Sequence, residues 1–216
     1  MRYGLFAAMI AAAGTAAAQD FSVTEIYVGI SGPDGTEDWF EITNTGAGIL
    51  DTGSLFYDDE DPFGPDADGG TLDSFLLQPG ESAVFLIADA GDGFVVIPEF
   101  TDIWGSVANV GITNGGGGLS QNGDEINIST DDGVTFGLTV AFDDSFANTG
   151  ATIDNVSGLT DSVLGVNGAF ESNPFFNDSI GPGDGFTLIG SPGVIPAPAS
   201  AALLGLGGLA AARRRR

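Results

Sequence analysis

An all-β domain is predicted for most of this chain from three observations. Short apolar runs rich in Phe, Ile, Val and Leu recur at strand spacing between Gln19 and Gly193, Gly, Asp, Asn and Pro separate them, and no stretch shows sustained helical periodicity. The first run, SVTEIYV, predicts a strand over 22–28, and WFEIT predicts the second over 39–43. GSLFY and SFLL place short strands over 53–57 and 74–77. Gln78-Pro79-Gly80-Glu81 then sets a proline and a glycine where a tight turn needs them, ahead of SAVFLIA over 82–88. Further strands are expected over 103–107, 125–129 and 134–142, the last two joined by an Asp131-Asp132-Gly133 hairpin corner. The run Gly115 to Gly118 has neither the lysine nor the following helix of a phosphate cradle and reads as a flexible loop. From Asp143 to Phe186 the pattern weakens into Asn, Gly and Ser, as in a long covering loop with one or two extra strands. No fixed-period repeat argues for a solenoid or propeller.

Charge narrows the function classes. All five basic residues lie at the ends, as Arg2 and Arg213 to Arg216, so 19–193 carries all 30 carboxylates and no Lys, Arg or His. Such a domain has no basic side chain to hold phosphate, no internal salt bridge and no imidazole for proton transfer. Nucleic acid is excluded as a partner, because nothing in the domain can release counterions from phosphate. Cysteine is absent, so stability must come from core burial or bound ions rather than disulfides. A polyanion of this density repels itself and favours surroundings that supply salt or divalent cations.

The ends read as addressing segments. Residues 1–18 combine Arg2, an apolar stretch from Leu5 to Ala13 and the small-residue site Ala16-Ala17-Ala18, the three parts of a secretory signal peptide cleaved after Ala18, with Ala16 and Ala18 as the small residues the peptidase reads. Residues 194–216 read VIPAPAS, then a short glycine-broken apolar helix from Ala201 to Ala212, then Arg213, Arg214, Arg215 and Arg216. A proline spacer, an apolar helix and a basic stop keep the arginines on the cytoplasmic side and the domain outside, as a transient or a permanent membrane anchor. The tail resembles the PEP-CTERM sorting signal of exported bacterial proteins. That resemblance implies an exosortase-type processing partner and a sorting motif at Pro196, Ala197 and Pro198, with Ala197 replacing the usual Glu.

The domain itself, 19–193, is similar to the lamin-tail domain. The strings that carry the similarity are VTEIYVG (23–29), DWFEITNTG (38–46), LQPGESAVFL (77–86), GLSQNGDEINIST (118–130) and the closing GSPG (190–193), in that order. The resemblance implies an immunoglobulin-like β-sandwich, with 143–189 as an insertion or extra strands. It also implies a structural or interaction module rather than an enzyme, with Glu25, Trp39, Glu41 and Asn44 serving packing and turn formation.

Two chemistries suit the acids. Hard oxygen ligands on glycine-containing loops suit calcium, and the candidates are Asp58, Asp59, Glu60 and Asp61 with Asp66, Asp68 and Asp73. Calcium is thus the one cofactor expected, and cation-bridged contact with extracellular polysaccharide or a surface protein is the expected partner mode. The alternative is a small secreted glycan hydrolase using paired carboxylates. The expected localisation is the cell envelope, the cell surface or, after processing, the extracellular space.

Overall fold

The computed structural model describes residues 20–30, 36–59, 69–146, 148–175 and 185–194. In chain order the elements are β1 (Phe21–Tyr27), β2 (Trp39–Asn44), β3 (Leu50–Asp51), β4 (Phe56–Asp58), β5 (Gly70–Thr71), β6 (Leu76–Leu77), β7 (Ser82–Leu86), α1 (Gly93–Trp104), β8 (Val110–Ile112), β9 (Gly123–Ser129), β10 (Phe136–Asp143), β11 (Ile153–Asp154), β12 (Thr160–Asp161), β13 (Phe170–Glu171) and β14 (Ile189–Gly190). The fold is all-β with a single helix among the described residues. A six-stranded sheet runs β12-β11-β1-β2-β7-β8, and a four-stranded sheet runs β10-β9-β4-β5.

The central strands β2 and β7 are buried along their whole length because both faces of their sheet are covered. Their register pairs Phe40 with Phe85 and Ile42 with Ala83 on one face, and Trp39 with Leu86 and Glu41 with Val84 on the other. The first face meets Tyr57, Ile126, Ile128 and Val140 of the smaller sheet in one core, where the Phe40 and Tyr57 rings lie 5.0 Å apart. The second face packs against α1 through Val96, Phe100, Ile103 and Trp104, with Leu188 beside them. This continuous burial explains the near-unbroken apolar run SAVFL, since a strand covered on both sides has no polar face to alternate with.

The helix corrects the sequence reading, which found no helical segment and placed a strand over 103–107. Val96, Phe100, Ile103 and Trp104 follow a helical period, but the segment is rich in β-branched residues and carries Pro98 inside the helix, both signals against a helix. Gly105 ends it at φ +78°, donating its N–H to the Thr101 carbonyl at 2.8 Å. The helix is also the connection that lets β8 join β7 in parallel, a pairing that no tight turn can make.

Other boundaries moved less. Residues 52–54 form a 3-10 turn, so the strand expected over 53–57 begins only at Phe56. Both predicted turns are present. Glu81 donates its N–H to the Gln78 carbonyl with Gly80 at φ +86°, and Asp132 and Gly133 take φ +56° and +75° between β9 and β10. The glycine run is pinned rather than loose. Gly115 donates to the Ala88 carbonyl, and Gly116 lies so close to Tyr57 that a Cβ there would stand 2.5 Å from the ring. The segment after Phe142 supplies β11 and β12 to the large sheet, and β13 pairs with β14 over the helix side.

Candidate functional site

The most unusual chemistry in the described residues is a pair of buried glutamates on the helix-side face of the large sheet. Strict alternation along β1 would place Glu25 with Val23 in the apolar core. A bulge between Val23 and Glu25 shifts the register, so that Glu25 lies directly opposite Glu41 of β2. A bulge inserts one residue and re-aims those after it, which here returns Ile26 to the core and turns Thr24 and Glu25 toward Glu41. Both glutamates are 1 % exposed.

With no basic side chain among the described residues, hydroxyls and main-chain amides surround the pair. Glu41 Oε1 accepts from Thr24 Oγ1 at 2.6 Å, and a hydroxyl chain continues from Thr24 through Thr43 at 2.9 Å to Ser82 at 2.7 Å. Glu25 Oε1 accepts from the Thr152 hydroxyl of the segment entering β11, and Thr152 in turn contacts the Ser162 hydroxyl at 2.7 Å.

The remaining donors come from the closing GSPG. Ser191 donates its N–H to Glu25 Oε1 at 2.6 Å and its hydroxyl to Oε2 at 3.1 Å, and Gly193 donates its N–H to Glu41 Oε2 at 2.6 Å. The glycines are required by space and conformation. A Cβ on Gly190 would stand 2.8 Å from both Thr152 and the Trp104 ring and 2.9 Å from Glu25 Oε1, and Gly193 sits at φ +73° against Val107.

Burial dominates the titration of both acids, because desolvation disfavours the charged form. It raises Glu25 to about 7, opposed by the hydrogen bonds from Thr152 and Ser191 and assisted by the negative charge of Asp154. Glu41 rises to about 8 through burial and then the charge of Glu25, against the bonds from Thr24 and Gly193. At neutral pH Glu41 therefore holds its proton, and the pair is spared two uncompensated charges in an apolar layer.

The calcium candidates are spread differently. Asp58 is buried at the end of β4, and Asp59 follows it. Asp73 is committed to structure, accepting from the Ile112 N–H at 3.1 Å and from Asn114 Nδ2 at 3.0 Å. Glu60, Asp61, Asp66 and Asp68 lie outside the described residues, as do Ala16, Ala18, Pro196, Ala197, Pro198 and Arg213 to Arg216. Among the described residues no three His, Cys, Asp or Glu side chains gather closely enough to hold a metal. Acids do crowd Tyr57: burial first, then Asp59, Asp124, Asp38 and Asp58, push its phenol upward, while its hydroxyl donates to the Gly117 carbonyl at 3.2 Å.

An open groove of about 510 Å³ is lined by Ala141, Phe142, Asp143, Ser145, Phe146 and Leu159. Its one carboxylate, Asp143, is bonded by the Ser145 hydroxyl and N–H, which hold it below the usual carboxylate range. Among the described residues no helix is long and apolar enough to cross a membrane.

Sequence reasoning singled out Glu25 and Glu41 only as strand residues. What could have exposed them is their setting, a lone carboxylate inside each of the apolar runs VTEIY and WFEIT. Fold and site together define an all-β protein built around a base-free buried carboxylate pair. Compared with protein-family models, with curated proteins and with solved structures, the chain matches none of them.

Proposed function

We propose that the protein is a non-enzymatic, exported, lamin-tail-like β-sandwich. In this reading a PEP-CTERM-type tail and an exosortase-type enzyme sort it to the cell envelope, where it acts as an acidic interaction module on the surface or in the matrix. The observation that carries this reading is the partition of charge: 30 acids with no base in 19–193, and all five arginines in the two end segments. The core shared by the two sheets supports the sandwich. The buried glutamate pair and the groove give no support to the hydrolase alternative. A hydrolase needs its acid and base in contact with substrate, whereas the Glu25–Glu41 pair is sealed beneath the closing segment and the groove beside Phe142 offers a single carboxylate.

Deleting Arg213 to Arg216 tests the sorting half: cell fractionation is expected to show the variant lost from the envelope with its tail unprocessed, and unchanged retention and processing would refute it. The interaction half is tested by thermal melts of the full chain in chelator and in millimolar Ca²⁺, each at low and high NaCl. Specific calcium bridging predicts a stabilisation by Ca²⁺ that salt does not reproduce, about 2.7 kcal/mol when the ion is at 100 times its Kd. Equal stabilisation by salt and by calcium would mean simple screening of a polyanion, and the bridging mode would fall.

A further inference from the structure

Within the last described segment, 185–194, main-chain pairing and the buried Leu188 hold 186–190, whereas 191–193 meet the large sheet through a polar clasp whose acceptors are both titratable. Ile189 and Gly190 are placed by main-chain pairing, with Thr152 donating its N–H to the Ile189 carbonyl at 2.9 Å and Ile189 donating to Gly150 at 3.0 Å. Beyond Gly190, the bonds from Ser191 and Gly193 to the large sheet end on Glu25 and Glu41. We propose that this glutamate pair is a proton-operated latch, holding residues 191–193 against the sheet while it is protonated and releasing them when both carboxylates ionise.

The groups facing the pair make ionisation expensive in the closed state. From β11 comes Asp154, a third carboxylate opposite Glu25 in the register. From β2, β7 and the segments entering β11 and following β12 come only the hydroxyls of Thr43, Ser82, Thr152 and Ser162. From α1 comes the apolar ring of Trp104, while the helix acids Glu99 and Asp102 point to solvent. On β13, Glu171 is exposed and accepts from the Thr187 hydroxyl at 2.8 Å. Among the described residues no Lys, Arg or His faces the pair, so within them a second negative charge is relieved by water, which enters when the closing segment lifts.

The sign follows from the two states. Closed, burial favours the protonated forms and outweighs the Ser191 and Gly193 bonds, which favour the charged ones; open, the hydrated carboxylates return toward ordinary values, so opening releases protons and rising pH drives it. Each proton released makes the open state about tenfold more populated per pH unit, until the closed-state carboxylates also ionise.

Hydrogen exchange on the full-length chain between pH 5.5 and 8.0, corrected for the intrinsic pH dependence of exchange, tests the latch. The protection of the Ser191 and Gly193 amides is expected to fall by at least about tenfold across this range and to lie, at every pH, below that of the central strands 39–44 and 82–86, which exchange by global unfolding. In the Glu25→Gln/Glu41→Gln double variant the protection of the Ser191 and Gly193 amides is expected not to change with pH. Constant protection of the Ser191 and Gly193 amides in the wild-type chain, or protection equal to that of the central strands at each pH, would overturn the proposal. If the double variant does not fold, the wild-type comparison decides alone.

Discussion

Between pH 5.5 and pH 8.5 the wild-type protein is expected to become less stable, and replacing both Glu25 and Glu41 by Gln is expected to remove most of that loss. Both acids titrate higher in the folded protein, near 7 and 8, than the ordinary 4.5. A raised carboxyl pKa means that the folded state holds protons the unfolded chain has already released. The resulting stabilisation is complete below pH 4.5 and is lost progressively as pH rises through 7 to 8. At about 1.4 kcal/mol per unit, the two coupled acids are worth on the order of 3–6 kcal/mol across that span. For a domain of this size this amounts to a fall in Tm of roughly 10 °C or more.

Asp131 and Asp143, which hydrogen bonds hold below the usual range, act at lower pH and leave this window untouched. Gln suits the Glu41 site because the chain of hydroxyls through Thr24, Thr43 and Ser82 can reverse its donor direction and accept from an amide. Thermal melts at four pH values check the prediction. An equal slope in wild type and double variant would place the pH dependence in the surface charge instead.

Trp104→Ala is expected to cost about 3–5 kcal/mol, the usual range for removing a large aromatic side chain from a core. Trp104 is 4 % exposed and stands edge to face with Trp39 at 5.9 Å and with Phe170 at 5.7 Å. It also walls the space beside Gly190. Phe94→Ala on the same helix, at a side chain 81 % exposed, should change stability by less than about 0.5 kcal/mol. Urea unfolding of the two variants measures the contrast. Similar small effects would mean that α1 does not help to cover the sheet.

The strands that can be read from the sequence are those whose neighbours agree with them. Trp39–Asn44, Ser82–Leu86 and Gly123–Ser129 combine apolar runs with turn residues at their ends, and all three form. The helix was hidden by Pro98 and the β-branched run before it, a local preference outvoted by the apolar face the large sheet presents to α1. The Asn44 role was legible, since its side chain holds the following turn by accepting from Gly46 and donating to Gly48. The glutamate pair was not, because its two members meet only through a one-residue bulge, and two of their donors lie at Ser191 and Gly193. Period-two reasoning assigns a face to every strand residue, and a bulge is the event that voids the assignment.

The clasp between the first strand and the closing GSPG also governs when folding can finish. Glu25 and Ser191 are 166 positions apart in the chain, and Glu41 and Gly193 are 152 apart. A chain that emerges N-terminus first, from a ribosome or a membrane pore, can pair β1 with β2 early, but it leaves two acids without their amide donors until nearly the whole domain is out. Contacts this distant form late because a long loop must close before they stabilise anything. A chain cut short before Gly190 would bury both carboxylates half-satisfied or leave the helix-side layer open to water. Residues 190–193 thus complete the surroundings of acids laid down at the start of the domain.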